Sequence, residues 1–252
     1  MGVSRGMVGP SFTSHIGVIC LLFAVALLAP RAADAITFDG DVTYTSDYIY
    51  RGISQTGGRS AGQIDLHVAT ADGTFVGVFA STMDRLWHRG YATLGWDYEL
   101  EEYLGHRFDL SQSWSTTLTA VNYQYKHGNA PINNDYQEAS LAVSYLDSWT
   151  LTAAYIPNAP RYFFGYRLGR YAAYTSDLAT QLPLVGRLFL TAGVGYYYTD
   201  STDYWYGNAG LAFEFKRLRL DAGYYVSQDR AQILFPYGRA GSRFAASVSW
   251  HF

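Results

Sequence analysis

The sequence is almost without cysteine. Its single cysteine, Cys20, lies inside an apolar run from Ile16 to Leu28. Arg5 precedes this run and the small-x-small sequence Ala33-Asp34-Ala35 follows it, a pattern that predicts a secretory signal peptide over residues 1–35. The mature chain, residues 36–252, would then contain no cysteine. This excludes a disulfide framework and a thiolate metal site.

Long hydrophobic runs and an excess of positive charge are also missing. Beyond residue 35, no uninterrupted apolar run approaches the roughly twenty residues of a membrane-spanning helix. The formal net charge is −3, and no basic patch indicates a nucleic-acid partner. In contrast, the chain has 23 Tyr and 25 Gly, and aromatic residues make up 17% of it. Such tyrosine enrichment is typical of the girdles where the apolar band of a membrane β-barrel meets water.

The carboxyl terminus alternates strictly between two kinds of residue. Small or polar residues, from Arg243 to His251, occupy one face. This is the pattern of a transmembrane β-strand, with its apolar face toward lipid. A terminal Phe resembles the C-terminal signature of bacterial outer-membrane barrels, which implies recognition by the barrel assembly machinery. An edge strand of a soluble sandwich is the alternative, because alternation marks any half-buried strand. The residues of the signature are Phe244, Val248, Trp250 and Phe252.

Twelve segments of the mature chain have strand character, and they predict an all-β fold: a transmembrane, antiparallel, up-and-down β-barrel. Closure is expected because an open sheet edge in hydrocarbon leaves unpaired amides. Even-numbered connections are mostly short and odd-numbered ones long, with 102–113 the exception. This asymmetry predicts that both mature termini are periplasmic. The segments are 38–49, 62–70, 74–83, 90–101, 114–126, 135–146, 149–157, 169–180, 187–198, 204–215, 218–228 and 242–252.

Twelve strands predict a narrow lumen, and charged residues on the polar strand faces are expected to line it. An Arg or Lys on the lipid face would cost about 2–4 kcal/mol at mid-bilayer. The inner charges either set the selectivity of a pore, as rings of charge do, or form salt bridges that stiffen the wall. They have both signs, unlike the basic ladder expected of a channel for acidic oligosaccharides. The predicted pore-lining residues are Asp65, His67, Asp97, Glu138, Glu214, Arg219, Asp221 and Arg243.

Residues 46–55 read SDYIYRGISQ. This run is similar to the amino-terminal hairpin of the proteobacterial TorF family of porin-like proteins. Val76–Ser81 resembles the third strand of that family, and Tyr136-x-Glu138 resembles another strand opening. The resemblance extends from about residue 38 to the carboxyl terminus. It implies a pore. Together with the predicted narrow lumen, this predicts an outer-membrane channel for passive diffusion of small hydrophilic solutes or ions, with membrane lipid and lipopolysaccharide as its surroundings.

Four arginines are candidates for a pore mouth or a loop constriction. Arg51, at the outer end of the first strand, either attracts anions at the mouth or has a structural role, in which it pairs with Asp47 or caps loop carbonyls beside Gly52. Arg161 and Arg167 fall in the predicted seventh connection, and Arg170 directly follows it. That connection either folds into the barrel, grips lipopolysaccharide phosphates through bidentate contacts, or forms an outer aromatic girdle with solvated arginines.

Two further classes of function are compatible with such a barrel. A closed structural barrel could bind lipopolysaccharide or a partner protein through its outer loops. An enzyme is not expected, because the chain has neither a Gly-x-Ser-x-Gly elbow nor a His-Glu-x-x-His motif; His88 near Asp84 is the best catalytic candidate. No cofactor is expected. Outer-loop carboxylates could hold a divalent cation, but they lack a recognisable ligand spacing: Asp200, Asp203 and Asp229.

Overall fold

The described part of the chain forms a closed barrel of twelve antiparallel strands, which confirms the predicted fold class. The computed structural model describes residues 36–83, 97–127, 134–163, 166–235 and 238–252. No helix in these ranges has the length and hydrophobicity needed to cross a membrane. The strands are β1 Ile36–Thr45, β2 Ala61–Thr70, β3 Thr74–Met83, β4 Asp97–Asp109, β5 Trp114–His127, β6 Tyr136–Tyr145, β7 Trp149–Phe163, β8 Tyr166–Val185, β9 Leu188–Thr199, β10 Asp203–Phe215, β11 Leu218–Ser227 and β12 Arg243–His251.

The last strand closes the barrel against the first. β12 pairs with β1 in a register that runs from Asp41 opposite His251 to Thr45 opposite Ser247. The terminal residue extends the ladder, because the Phe252 amide donates to the Gly40 carbonyl (3.0 Å) and the Gly40 amide donates back (3.2 Å). A Cβ at Gly40 would lie 2.6 Å from the backbone oxygen of Asp65. Gly40 therefore permits the close approach of β1 to β2 beside this seam.

The alternation along each strand separates an apolar outer face from a mostly polar inner face. In β12 the four signature residues Phe244, Val248, Trp250 and Phe252 are exposed. The interleaved Ala245 and Ser249 are buried on the inner face. Because successive side chains of a strand point to opposite faces, this arrangement follows directly from the sequence pattern.

One polar segment interrupts the outer face. Glu102 lies on β4 between Leu100 and Leu104, and its Oε2 accepts hydrogen bonds from the Asn122 side chain (3.1 Å) and the Gln124 side chain (3.2 Å). These amides on β5 supply hydrogen bonds to the carboxylate. A polar group away from water needs such partners, because its burial without them is costly. The expectation that strand charges face the lumen therefore has an exception at Glu102.

The connections at one end of the barrel, here called the turn end, are all short: 71–73, 110–113, 146–148, 186–187 and 216–217. The predicted long connection 102–113 is wrong, because β4 continues to Asp109 and leaves only 110–113. Residues 101–105 keep the two-residue alternation despite their polarity, so the ladder with β5 continues. The opposite end is called the loop end.

The seventh connection, predicted to span residues 158–168, is also wrong. β7 continues to Phe163 and β8 begins at Tyr166, so Arg161, Arg167 and Arg170 lie on paired strands at the loop end. An antiparallel ladder continues wherever both backbones find partners, whatever the polarity of the side chains. The aromatic and basic residues of this stretch therefore belong to an extended hairpin and not to a loop.

Candidate functional site

The first connection, residues 46–60, contains a short hairpin that enters the barrel. Residues 46–56 are called the lumenal hairpin. Ile49 pairs with Ser54 and Tyr50 pairs with Ile53, which leaves Arg51 and Gly52 as the two turn residues. Their φ angles are 49° and 73°. Positive φ at both central positions is the mark of a type I′ hairpin turn, and it puts Arg51 at the tip.

Arg51 reaches the opposite wall of the barrel. Its Nη1 and Nη2 donate to the two carboxylate oxygens of Glu138 on β6, at 2.7 and 2.8 Å. The side chains are only 11% and 6% exposed, and the guanidinium also stands 4.7 Å from the ring centroid of Tyr50. Burial opposes the charge, but the neighbouring Tyr50 and Glu138 outweigh it, so the pKa of Arg51 is raised above its ordinary value. Arg51 therefore remains a paired cation inside the barrel.

The hairpin also contacts the wall on either side of this ion pair. The Tyr50 hydroxyl lies 3.0 Å from the Tyr123 hydroxyl on β5. On the other side, a Cβ at Gly52 would lie 2.6 Å from Cβ of Tyr206 on β10 and 2.9 Å from Cβ of Ser227 on β11. Glycine is thus required both by the backbone conformation and by this close approach. The hairpin spans the lumen from β5 and β6 to β10 and β11.

Ile53 anchors the hairpin in an apolar core within the loop-end half of the barrel. The ring centroids of Tyr197 and Tyr204 are 5.3 Å apart. Much of the tyrosine is therefore inside, and the prediction that it forms girdles holds only for outer residues such as Tyr155 and Tyr174. The buried residues of this core include Ile53, Ile156, Ala159, Tyr171, Ala173, Tyr197, Tyr204, Tyr206, Ala231 and Ala240.

Asp47 ties the base of the hairpin to the last outer connection. It accepts hydrogen bonds from the hydroxyls of Ser54 (2.5 Å) and Thr56 (2.8 Å) and from Arg243 Nη1 (3.1 Å). Arg243 also donates to the backbone oxygens of residues 238 and 239, both at 2.9 Å. The predicted structural pairing of Arg51 with Asp47 is therefore wrong. Asp47 pairs with Arg243, because Arg51 at the hairpin tip points across the barrel.

The inner face of the turn-end half carries a second ion-pair cluster. Arg219 donates from Nε to Asp221 (2.9 Å), from Nη1 to Glu214 (2.7 Å) and from Nη2 to Gln181 (2.9 Å). On β10 and β11, the three predicted charges thus lie together. Their role in a pore stays a prediction.

Asp65 and His67 lie on β2, on another part of the inner face. The Asp65 carboxylate accepts a hydrogen bond from the Tyr103 hydroxyl (2.8 Å) and contacts His67 Nδ1 (3.0 Å). Asp97 begins β4 at the loop end, but its side chain lies outside the described residues. Asp65 and His67 therefore do not form one cluster with Arg219.

The remaining candidate residues are dispersed. Arg170 donates to the backbone oxygen of Asn158 (2.7 Å), and the side chains of Arg161 and Arg167 lie outside the description. His88 and Asp84 also lie outside it. Asp203 pairs with Arg230 (2.8 Å), and within the described ranges no group of three or more His, Cys, Asp and Glu is placed to hold a metal ion.

The sequence pattern missed several residues of this site, among them Tyr123, Tyr206 and Ile53. No periodicity marks them, because the hairpin and the wall that it contacts are far apart in the chain. The available signal was the density of specific residues in SDYIYRGISQ, which contains the two turn residues, Arg51 of the ion pair and Asp47 of the polar base.

Comparisons with known proteins agree with this architecture. Residues 29–252 match a family described as bacterial protein of unknown function, Gcw_chp. The chain belongs to this family. No curated protein matches it in sequence. The match does not name the TorF family, so the resemblance to TorF proteins stays a prediction, as does the signal peptide over residues 1–35.

Among solved structures, this Gcw_chp chain is similar to the KdgM porin and to the KdgM porin in complex with disordered oligogalacturonate. Each has 10% sequence identity and a TM-score of 0.50. The alignments cover 85% and 86% of this chain and 99% of each KdgM chain. At this identity the likeness shows a common fold, that of an outer-membrane porin.

Proposed function

We propose that this protein is an outer-membrane channel that passes small hydrophilic solutes or ions by diffusion, with the lumenal hairpin as its constriction. The observation that carries the proposal is the buried Arg51 and Glu138 pair, which fixes the hairpin across the inside of a closed barrel. A loop that only covered the mouth of the barrel would not need an ion pair with the opposite wall. The porin fold of the KdgM structures supports the proposal.

The outer face supports the membrane location. Aromatic residues are exposed near both ends of the barrel, for example Trp114 and Trp149 at the turn end and Tyr174 and Trp205 toward the loop end. We place the turn end and both mature termini in the periplasm, because short connections are typical of that side. The loop end would then face lipopolysaccharide.

The terminal strand would be the part that the barrel assembly machinery recognises. Removal of Phe252 is expected to lower the amount of folded protein in the outer membrane, because the seam at Gly40 loses two backbone hydrogen bonds. Heat-modifiable migration of outer-membrane extracts measures this amount. Equal amounts of folded protein with and without Phe252 would contradict this role.

A closed barrel is the second candidate, and the dense packing of Ile53 among buried tyrosines supports it. Such a barrel would act through its outer loops on lipopolysaccharide or a partner protein. The two candidates differ in conductance, because an open channel carries ions through its interior and a closed barrel does not.

Recordings from the purified protein in planar bilayers distinguish them. We expect small stepwise currents from the wild type and larger steps when residues 48–55 are replaced by a Gly-Ser linker, because the constriction is removed. Replacement of the exposed residues 57–60 by a linker of the same kind serves as the control and should leave the steps unchanged. Silence of correctly folded wild-type protein would overturn the channel and favour the closed barrel.

A further inference from the structure

The polar segment on the outer face of the barrel extends beyond Glu102. Asn122 and Gln124 on β5 donate to its carboxylate, and the contacts continue onto the next two strands. The Gln137 side chain on β6 donates to Asn122 Oδ1 (2.7 Å), and the Asn158 side chain on β7 donates to Gln137 Oε1 (2.6 Å). One hydrogen-bonded array therefore crosses four neighbouring strands. These five residues are called the outer polar strip.

The outer polar strip lies within the apolar band of the barrel. On β4, Glu102 stands between Tyr98 and Phe108, which are exposed aromatic residues toward the loop end and the turn end. Across the barrel, on β11 and β12, the outward positions are all apolar, from Leu218 to Val226 and from Phe244 to Phe252. Lipid tails offer no hydrogen bonds, so polar groups at this depth need protein partners.

The contacts within the strip do not use all of its hydrogen-bonding capacity. Among the described residues, no donor reaches Glu102 Oε1, and each side-chain amide nitrogen of the strip donates once. A side-chain amide nitrogen carries two hydrogens, so one hydrogen of each amide is available to a further acceptor. The strip thus presents an acceptor at its β4 side and donors along β5, β6 and β7. A surface with both is complementary to a copy of itself.

Small residues adjoin the strip on its turn-end side. Ala120 on β5 pairs with Ala139 on β6, two positions from the pair of Asn122 and Gln137, and both alanines are exposed on the outer face. Between membrane helices, small side chains let two surfaces approach closely, and amide side chains then hydrogen-bond across the contact. The same conditions apply to a strand wall in lipid. The combination is therefore typical of a protein contact inside the membrane.

The chemistry of the strip favours a second copy of this chain over lipopolysaccharide. The only charged residue among the five is Glu102, and its carboxylate repels phosphate groups. Two copies in one membrane have the same orientation, so a half-turn about the membrane normal keeps every residue at its depth. When the axis passes between β5 and β6, β4 of each copy lies opposite β7 of the other. The carboxylate side of each strip then faces the amide side of its partner.

We propose that the protein forms a two-fold symmetric homodimer in the outer membrane through the outer polar strip, with Ala120 and Ala139 beside the axis. The interface is isologous, because the same surface of both copies forms it. The inference goes beyond the proposed channel, since it concerns the outer face and holds for a conducting or a closed barrel.

Oxidative cross-linking in outer-membrane preparations tests the position of the contact. Residues 36–252 contain no native cysteine. Ala139→Cys places a thiol beside the strip, and Ala222→Cys is the matched control, because Ala222 is an exposed, outward alanine on β11 across the barrel. With copper phenanthroline as the oxidant, we expect Ala139→Cys to give a disulfide-linked dimer on non-reducing gels and Ala222→Cys and the wild type to stay monomeric. Equal cross-linking at both positions, or none at either, would overturn the proposed interface.

The mass of the protein in detergent, measured by light scattering, tests the role of the amides. We expect the wild type to have twice the mass of one copy. Asn122→Leu combined with Gln137→Leu should reduce it to the mass of one copy, because the centre of the strip becomes apolar. Thr116→Leu, on the outer face of β5 but outside the strip, should leave the dimer intact. A wild type with the mass of one or three copies would overturn the dimer, and a dimer that persists in the double variant would overturn the role of the strip. Neither result depends on whether the barrel conducts.

Discussion

The two halves of the barrel interior use arginine in different ways. At the loop end, Arg51 is buried and bound to a single buried carboxylate across the lumen. At the turn end, Arg219 is 24% exposed and shares two partly exposed carboxylates on neighbouring positions. The first pair fixes a separate segment of chain inside the barrel, whereas the second stays on one wall. The loop-end half is thus organised as a core and the turn-end half as a polar surface.

The largest expected effect is the loss of Arg51. Arg51→Ala leaves the Glu138 carboxylate buried without its partner, and we expect the free energy of unfolding to fall by about 3–5 kcal/mol. Arg219→Ala should lower it by about 1 kcal/mol, because its partners remain in contact with water. Urea titration of the protein in detergent, followed by tryptophan fluorescence, measures both values.

A double variant sharpens this prediction. Combining Glu138→Ala with Arg51→Ala removes the unpaired charge, so the loss should be smaller than the sum of the two single losses. If Arg51→Ala and Arg219→Ala lowered the free energy of unfolding equally, the loop-end half would not be organised as a core in contrast to the turn-end half.

A smaller effect is expected at Gly52, where the hairpin touches the wall. Gly52→Ala and Gly58→Ala both place a side chain at positive φ, with φ angles of 73° and 80°, which costs about 1–2 kcal/mol. Only Gly52 would also clash, since a Cβ at Gly58 meets nothing within 4 Å. We expect the free energy of unfolding to fall by about 1–3 kcal/mol more in Gly52→Ala than in Gly58→Ala.

The same urea titration measures this difference, and single-channel recordings add a second readout. A displaced hairpin should change the current steps of Gly52→Ala but not those of Gly58→Ala. Indistinguishable stabilities would mean that the hairpin does not press against β10 and β11.

The smallest effect is expected at the turn end, and it has the opposite sign. Leu146 is exposed and has a φ of 52° in the 146–148 turn. Asn tolerates this conformation better than Leu, so Leu146→Asn should raise the free energy of unfolding by about 0.5–1 kcal/mol. Leu110→Asn is the control, because Leu110 is also exposed in a turn but does not have a positive φ. A gain of the same size in both variants would refute the conformational cause.

The pattern of side chains predicted the wall of the barrel well. Twelve strands, the closing position of Phe252 and the outward face of β12 all follow from the two-residue period, because a strand exposes alternate residues to opposite surroundings. The errors at 102–113 and in the seventh connection have one cause. Polarity was interpreted as a loop signal, whereas backbone pairing continues through polar and aromatic residues.

The sequence by itself determined the strands and their faces, since these depend on local conformation and on contact with water or lipid. Only the tertiary structure decided that the first connection enters the barrel, that Arg51 pairs with Glu138 and not with nearby Asp47, and that Glu102 faces outward beside Asn122. Such contacts join segments that are distant along the chain. Closure of the barrel brings them together, and no local pattern contains that information.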